Sequence, residues 1–235
     1  LGGENIAACI VEPIAGSTGT LIPPKNYLQK LRKICDQHGI LLIFDEVVTG
    51  WGRTGSAFAA QEFGVTPDMI TMAKATTNGI VPMGVVAVRE KIYESVMDAS
   101  PEGAVELFHG YTYSGIPVAV SAAIAVQKIF EKENIFHRVK KLSKYFEDGL
   151  HSLKDLSCVD SIRNYGLLGG IDISMRDKPG KAGFNVYKKC YDVGVNIKPT
   201  GDALIIAPPF VCEKKGIDEI IEKMRTGIKN HLNSN

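Results

Sequence analysis

Residues 41–55, LLIFDEVVTGWGRTG, open as an unbroken apolar run and then set two carboxylates, Asp45 and Glu46, side by side at its end. The run over residues 40–44 is too short for a helix and too evenly apolar for a strand wetted on one face. It reads as a parallel strand covered on both faces. The adjacent acids admit two readings, a solvated loop start or a site built where the strand stops. Strand alternation turns successive side chains to opposite faces, so Asp45 and Glu46 need not share a role, and Glu46 is expected to be structural.

The pattern repeats on both sides of this run. Upstream, residues 6–11 (IAACIV) are β-rich and lead into the turn-rich Ala15-Gly16-Ser17-Thr18-Gly19 and then Pro23-Pro24. From Pro24 the apolar residues Tyr27, Leu28, Leu31 and Ile34 recur at helical spacing until Gly39. Proline at the start and glycine at the end mark a helix. Downstream, an Ala-rich helix is predicted over 57–63, and residues 69–73 and 83–88 are further short apolar runs. Strand and helix in alternation predict an α/β unit with a mostly parallel central sheet, and ligands gather at the carboxyl ends of such strands.

After Pro117 the character changes. A helix with a small apolar start (residues 118–123) carries its pattern through Ile124, Val126, Ile129 and Phe130 to Asn134. A second helix, 135–153, puts Val139, Leu142, Phe146 and Leu150 on one stripe. Residues 159–163 and 167–173 then read as strands joined at Asn164-Tyr165-Gly166, 182–193 as a helix, 195–198 and 203–206 as strands, and 217–232 as a closing helix. Two domains are expected: residues 1–133, part of the parallel-sheet domain, and residues 134–235, a smaller α+β domain.

Composition narrows the function. The chain of 235 residues is 45% apolar, enough for a buried core. Its 27 basic and 26 acidic residues leave a formal charge of +1, without the basic footprint that nucleic acid requires. Cys9, Cys35, Cys158, Cys190 and Cys212 are scattered and never form a C-x-x-C pair, so neither a disulfide framework nor a metal site is expected, and a reducing, cytoplasmic compartment fits. No apolar run reaches the roughly 18 residues of a membrane span, and the first residues lack the basic-then-apolar pattern of a signal peptide, so neither is expected. The chain opens at Leu1 close to a strand, which suggests a segment of something longer.

Lys74 ends the apolar run MITMA, just before the polar turn Ala75-Thr76-Thr77-Asn78-Gly79. An ammonium carried to a core edge by a strand is costly unless it is paired or neutralised. Asp45 lies one strand–helix–strand unit earlier, so both residues fall on one edge of the expected sheet. An amine able to form a Schiff base and a fixed acid able to keep a pyridine nitrogen protonated are what pyridoxal 5′-phosphate (PLP) requires. On spacing alone, a solvated lysine and a loop-start aspartate stay open as well.

The segments FDEVVTGWGRTG, GVTPDMITMAKATTNG, PMG, HGYTYSGIP, IRNYGLLGGIDI and TGDALIIAPPF, in this order, resemble the class III PLP-dependent aminotransferases, and among them the ω-amino acid:pyruvate (β-alanine:pyruvate) group. The resemblance covers essentially the whole chain. It implies a fold-type-I architecture with a mostly parallel central sheet, a small C-terminal α+β domain, and a homodimer with shared active sites that could pair into a tetramer. It implies Lys74 as tether and general base, Asp45 on the pyridine nitrogen, Val47 against the ring face, Thr112 on the phosphate of the partner subunit's cofactor, and Glu12 near the cofactor or in a structural role. It places His109 in a positioning or interface role and Trp51 and Arg53 at the site rim and dimer interface. Gly50, Gly52 and Gly55 then belong to the family's turn and not to a nucleotide loop.

Two positions depart from the family pattern. Lys198 stands where an arginine usually meets the substrate carboxylate, keeping the charge and losing the planar fork. Ile116 replaces a usual histidine. The family's phosphate-binding Gly-Ser segment and its ring-stacking aromatic lie before the region represented here, so this segment alone is expected to bind cofactor poorly and to be inactive. The expected reaction moves an amino group from an ω-amino acid or amine to pyruvate. Diamine, taurine or 4-aminobutyrate donors, an aminomutase, and a truncated silent chain are the alternatives.

Overall fold

The computed structural model describes residues 2–104, 107, 112–174 and 179–234. Its first half is built on a four-stranded sheet of β1 (Ala8–Val11), β2 (Leu41–Asp45), β3 (Met69–Met72) and β4 (Val85–Val88), in that order. β1, β2 and β3 are mutually parallel and β4 runs antiparallel to β3. The mostly parallel α/β expectation holds, with the antiparallel edge strand as an addition.

Helices α1 (Tyr27–His38) and α2 (Ala59–Glu62) cover one face of this sheet. Leu42 and Phe44 of β2 point into that layer and are fully buried among Leu28, Cys35 and Val65. Leu41 and Ile43, on the other face, are only half-buried, so the expected cover on both faces is one-sided among the described residues. Gly39 closes α1 in the left-handed conformation that glycine adopts without steric cost. α2 is shorter than the predicted 57–63, because Phe58 is extended and donates its N–H to the Gln61 side chain, which starts the helix late.

Asp68 ties the amino ends of this sheet together. Its Oδ2 accepts the Leu42 N–H at 2.7 Å and Arg32 Nη1 at 2.6 Å. Burial opposes its charge, but these donors prevail and hold its pKa below the ordinary value.

α3 (Glu90–Asp98) buries no side chain fully, which is why its pattern escaped the sequence reading. α4 (Pro117–Lys132) and α5 (Ile135–His151) meet at Asn134, whose φ of 49° lets the chain reverse direction. Ile116, at the position of the family's histidine, caps α4 through its carbonyl, which accepts the Ala119 N–H.

The second sheet is antiparallel, in the order β5 (Val159–Tyr165), β6 (Leu168–Ile173), β8 (Ala203–Ile206) and β7 (Lys198–Thr200). Together with α5, α6 (Ala182–Asp192) and α7 (Lys214–Leu232) it encloses a core around Val139, Phe146, Leu150, Ile171, Leu204 and Met224. β7 begins three residues later than predicted. Val195 and Ile197 are apolar because they are buried in that core, not because they pair in a strand.

The two sheets join closely. Ile14 packs with Leu168 and Ile205, and Thr20, fully buried, donates its hydroxyl to the Gly169 carbonyl at 3.1 Å. Gly169 and Gly170 permit this approach on both faces of β6: a Cβ at Gly169 would strike Leu150 and one at Gly170 would strike the Gly19 carbonyl, each at 2.5 Å. Arg163 reinforces the seam by donating Nε to the Gly19 carbonyl at 2.7 Å while pairing with Asp172 across β5–β6.

Candidate active site

Asp45 and Thr71 are register partners on the parallel pair β2–β3, and the Glu46 N–H donates to the Thr71 carbonyl at 2.9 Å. The chain leaves β3 at Met72 and turns sharply at Lys74, which has a φ of 47° and begins a single 3₁₀ turn, Lys74–Thr76. A side-chain-bearing residue held in that region stores local strain, which concentrates where geometry is functional. The Asp45 and Lys74 backbones therefore lie at one sheet edge, as the alternation predicted. The Lys74 side chain is exposed instead of held in the core edge, and among the described residues it makes no ion pair.

The two adjacent acids diverge. Glu46 is 1% exposed and accepts three hydrogen bonds, from the N–H groups of Ala59 (2.6 Å) and Ala60 (2.8 Å) and from the Thr49 hydroxyl (3.0 Å). It thereby ties the loop after β2 to the start of α2. Burial pushes its pKa up, and the three donors offset only part of that. Asp45 is half-buried, with Oδ1 accepting the Val47 N–H at 2.9 Å.

A cleft of about 640 Å³ opens between the two halves. Gly16, Val47 and Lys74 line it from the first half, and Lys198 and Phe210 from the second. Lys198 reaches it as the first residue of the edge strand β7. Val47, Lys74 and Lys198 thus share one cleft, together with Arg53, which was expected at the site rim. Asp45 is not among the lining residues, and its carboxylate holds the backbone of Val47, which is. Glu12 also lies behind the lining, with Oε2 accepting the Gly16 N–H at 2.9 Å, so it shapes the loop that does line the cleft. Thr112 is exposed and away from the cleft lining. His109 lies outside the described residues.

The turn after β2 carries two contacts that the sequence did not reveal. Trp51 has a φ of 62°, donates Nε1–H to the Thr76 hydroxyl at 3.0 Å, and packs on Phe58 with ring centroids 5.3 Å apart. Arg53 donates Nη1–H to the carbonyls of Leu167 (3.0 Å) and Pro208 (2.7 Å). Burial lowers its pKa to about 10, which leaves it charged at neutral pH. Glycines in this turn are packing positions: a Cβ at Gly52 would meet Phe136 at 2.9 Å and one at Gly55 would meet Lys140 at 2.6 Å. Among the described residues no cluster of three or more His, Cys, Asp or Glu side chains could hold a metal ion, and no helix is long and apolar enough to cross a membrane.

The family model for class III aminotransferases matches residues 1–228. An ω-aminotransferase of Caulobacter vibrioides is 50% identical over 223 residues, spanning 94% of this chain and 51% of that protein. An ω-amino acid–pyruvate aminotransferase of Pseudomonas putida is 46% identical over 225 residues, spanning 93% and 49%. The chain therefore spans about half the length of the curated relatives it matches. Among solved structures, an amine transaminase from an uncultivated Pseudomonas species, in its PLP-bound form, superposes with a TM-score of 0.90 at 31% identity, over 97% of this chain and 53% of that one.

Proposed function

Since the chain belongs to the class III aminotransferases, a family of PLP enzymes with the fold-type-I architecture, we propose that it carries the catalytic lysine of an enzyme transferring an amino group from an ω-amino acid or amine to pyruvate. Alanine and an aldehyde or semialdehyde are the products. The observation that carries this reading is the meeting of Lys74 and Lys198 across one cleft, with Asp45 at the end of the strand next to β3 and Lys74 two residues past the end of β3.

The residues present suit PLP. Lys74 lines the cleft and makes no ion pair among the described residues, and Asp45 has one carboxylate oxygen engaged by the Val47 N–H, leaving the other free of described protein donors. PLP, when bound, supplies an electron sink for the carbon that loses its proton. Lys74 Nζ would tether it and, once displaced, move the proton to and from the amine-bearing carbon of the donor. The Asp45 carboxylate would hold the ring nitrogen protonated through a charge-assisted hydrogen bond, and the branched side chain of Val47 would exclude water from one ring face. Lys198 would meet the carboxylate of the donor or of pyruvate as a point charge. Thr112 would serve the phosphate of a partner subunit's cofactor in a homodimer, and Glu12 would act through the Gly16 loop.

The separation into two sheets supports domains of residues 1–133 and 134–235, although Val126 and Phe130 of α4 already pack in the C-terminal core. Because the chain spans only half of its relatives, residues 1–235 by themselves are proposed to be inactive. In the full-length protein, alanine should form from pyruvate with β-alanine and not with putrescine or taurine, and Lys74→Ala should abolish it. Alanine formation that persists in Lys74→Ala would overturn the assignment.

A further inference from the structure

We propose that Trp51 is a positioning residue for Lys74, acting through the Thr76 hydroxyl; this rests on Lys74 being the catalytic amine. The left-handed backbone at Lys74 has to be held by its surroundings. The turn's own bonds are local: Thr76 N–H to the Ala73 carbonyl (3.0 Å), Gly79 N–H to the Lys74 carbonyl (3.1 Å) and Thr77 N–H to the same carbonyl (3.3 Å). A single 3₁₀ turn of this kind has poor hydrogen-bond geometry and little persistence alone.

Trp51 supplies the missing constraint. Among the described residues, its indole N–H makes the side-chain hydrogen bond that enters residues 73–79 from a distant segment. The receiving Thr76 is 3% exposed and passes the restraint on by donating its own hydroxyl to the Ala73 carbonyl at 3.0 Å, directly before Lys74. Trp51 is itself fixed, with its N–H bonded to the Ala57 carbonyl at 2.6 Å and its ring against Phe58. It also lies on the loop that leaves β2 at Asp45 and carries Val47. The loop that starts at the acid thus sets the apolar wall and restrains the turn that carries the amine. Phenylalanine could fill the same space, but only the indole can donate the bond.

The test compares Trp51→Phe, Thr76→Val, Thr76→Ser and the Trp51→Phe/Thr76→Val double variant in the holoenzyme. Hydrogen exchange of the amides of residues 74–80 should accelerate at least about tenfold in Trp51→Phe and Thr76→Val, with Thr76→Ser close to wild type, because a local opening is then less opposed. With a misplaced amine, kcat should fall roughly tenfold while KM changes less than about twofold, and the double variant should be no worse than the worse single one. Unchanged exchange in Trp51→Phe would overturn the tie, as would additive losses. Faster exchange with an unchanged kcat would reduce Trp51 to a structural role and overturn the positioning. Failure of the parent reading shows separately, as activity surviving in Lys74→Ala.

Discussion

The guanidinium carbon of Arg53 lies 4.3 Å from the centre of the Phe210 ring, while Nη1 bridges the carbonyls of Leu167 and Pro208. One side chain from the first half is thus embedded in the second. Arg53→Ala removes two charge-assisted bonds and leaves two carbonyls short of a donor, so it should cost about 3 kcal/mol of stability in urea unfolding. Arg53→Lys should recover only part of this, since an ammonium lacks the planar face that stacks on Phe210.

Glu46→Gln tests the anchoring of the loop that carries Val47. An amide offers one acceptor oxygen and presents its NH₂ to backbone donors that need an acceptor. A loss of about 2 kcal/mol is expected from chemical denaturation. Asp45→Asn should leave folding nearly unchanged and reduce PLP affinity in the full-length protein, which separates the two neighbouring acids by titration.

Stability should depend on pH in opposite senses at two carboxylates. The hydrogen bond from Arg163 holds the Asp172 pKa below its ordinary value, so its contribution is complete above that value and lost as pH falls through the lowered one. Burial raises the pKa of Glu46, so the native state retains its proton longer, and stability falls as pH rises from the ordinary carboxylate value toward the raised one. Thermal melts of Asp172→Asn should show a shallower acid-side slope, the remainder coming from Asp68; an undiminished slope would refute the assignment.

Lys198→Arg should restore the two-point contact to a carboxylate. The expected result is a several-fold lower KM for β-alanine, with little change for an amine donor that has no carboxylate. An equal effect on both donors would remove Lys198 from carboxylate recognition.

What could be read in the sequence was set by periodicity. The run over 40–44 and the run ending at Lys74 announced parallel strands, and parallel register alone brings Asp45 beside Thr71. Contacts between turns left no such trace. Trp51 and Thr76 are 25 residues apart in two irregular segments, and their hydrogen bond depends on left-handed backbone at Trp51 and Lys74 that no local pattern encodes. The resemblance placed Arg53 at a rim and interface; it lines the cleft and also donates to the Leu167 carbonyl, just before β6. Residues 195–198 misled because core burial and strand pairing select the same side chains.

Lys198 opens an edge strand that pairs on one side only, through Ile205, and is followed by Pro199, whose nitrogen has no hydrogen to give. Asp45, by contrast, closes a strand flanked by neighbours on both sides. The residue proposed to select the donor can therefore vary without disturbing those proposed to carry out the reaction. On the proposed roles, single substitutions at Lys198 would retune the choice of donor while the proton-transfer residues stay fixed, which makes β7 the place to randomise first in a search for new donors.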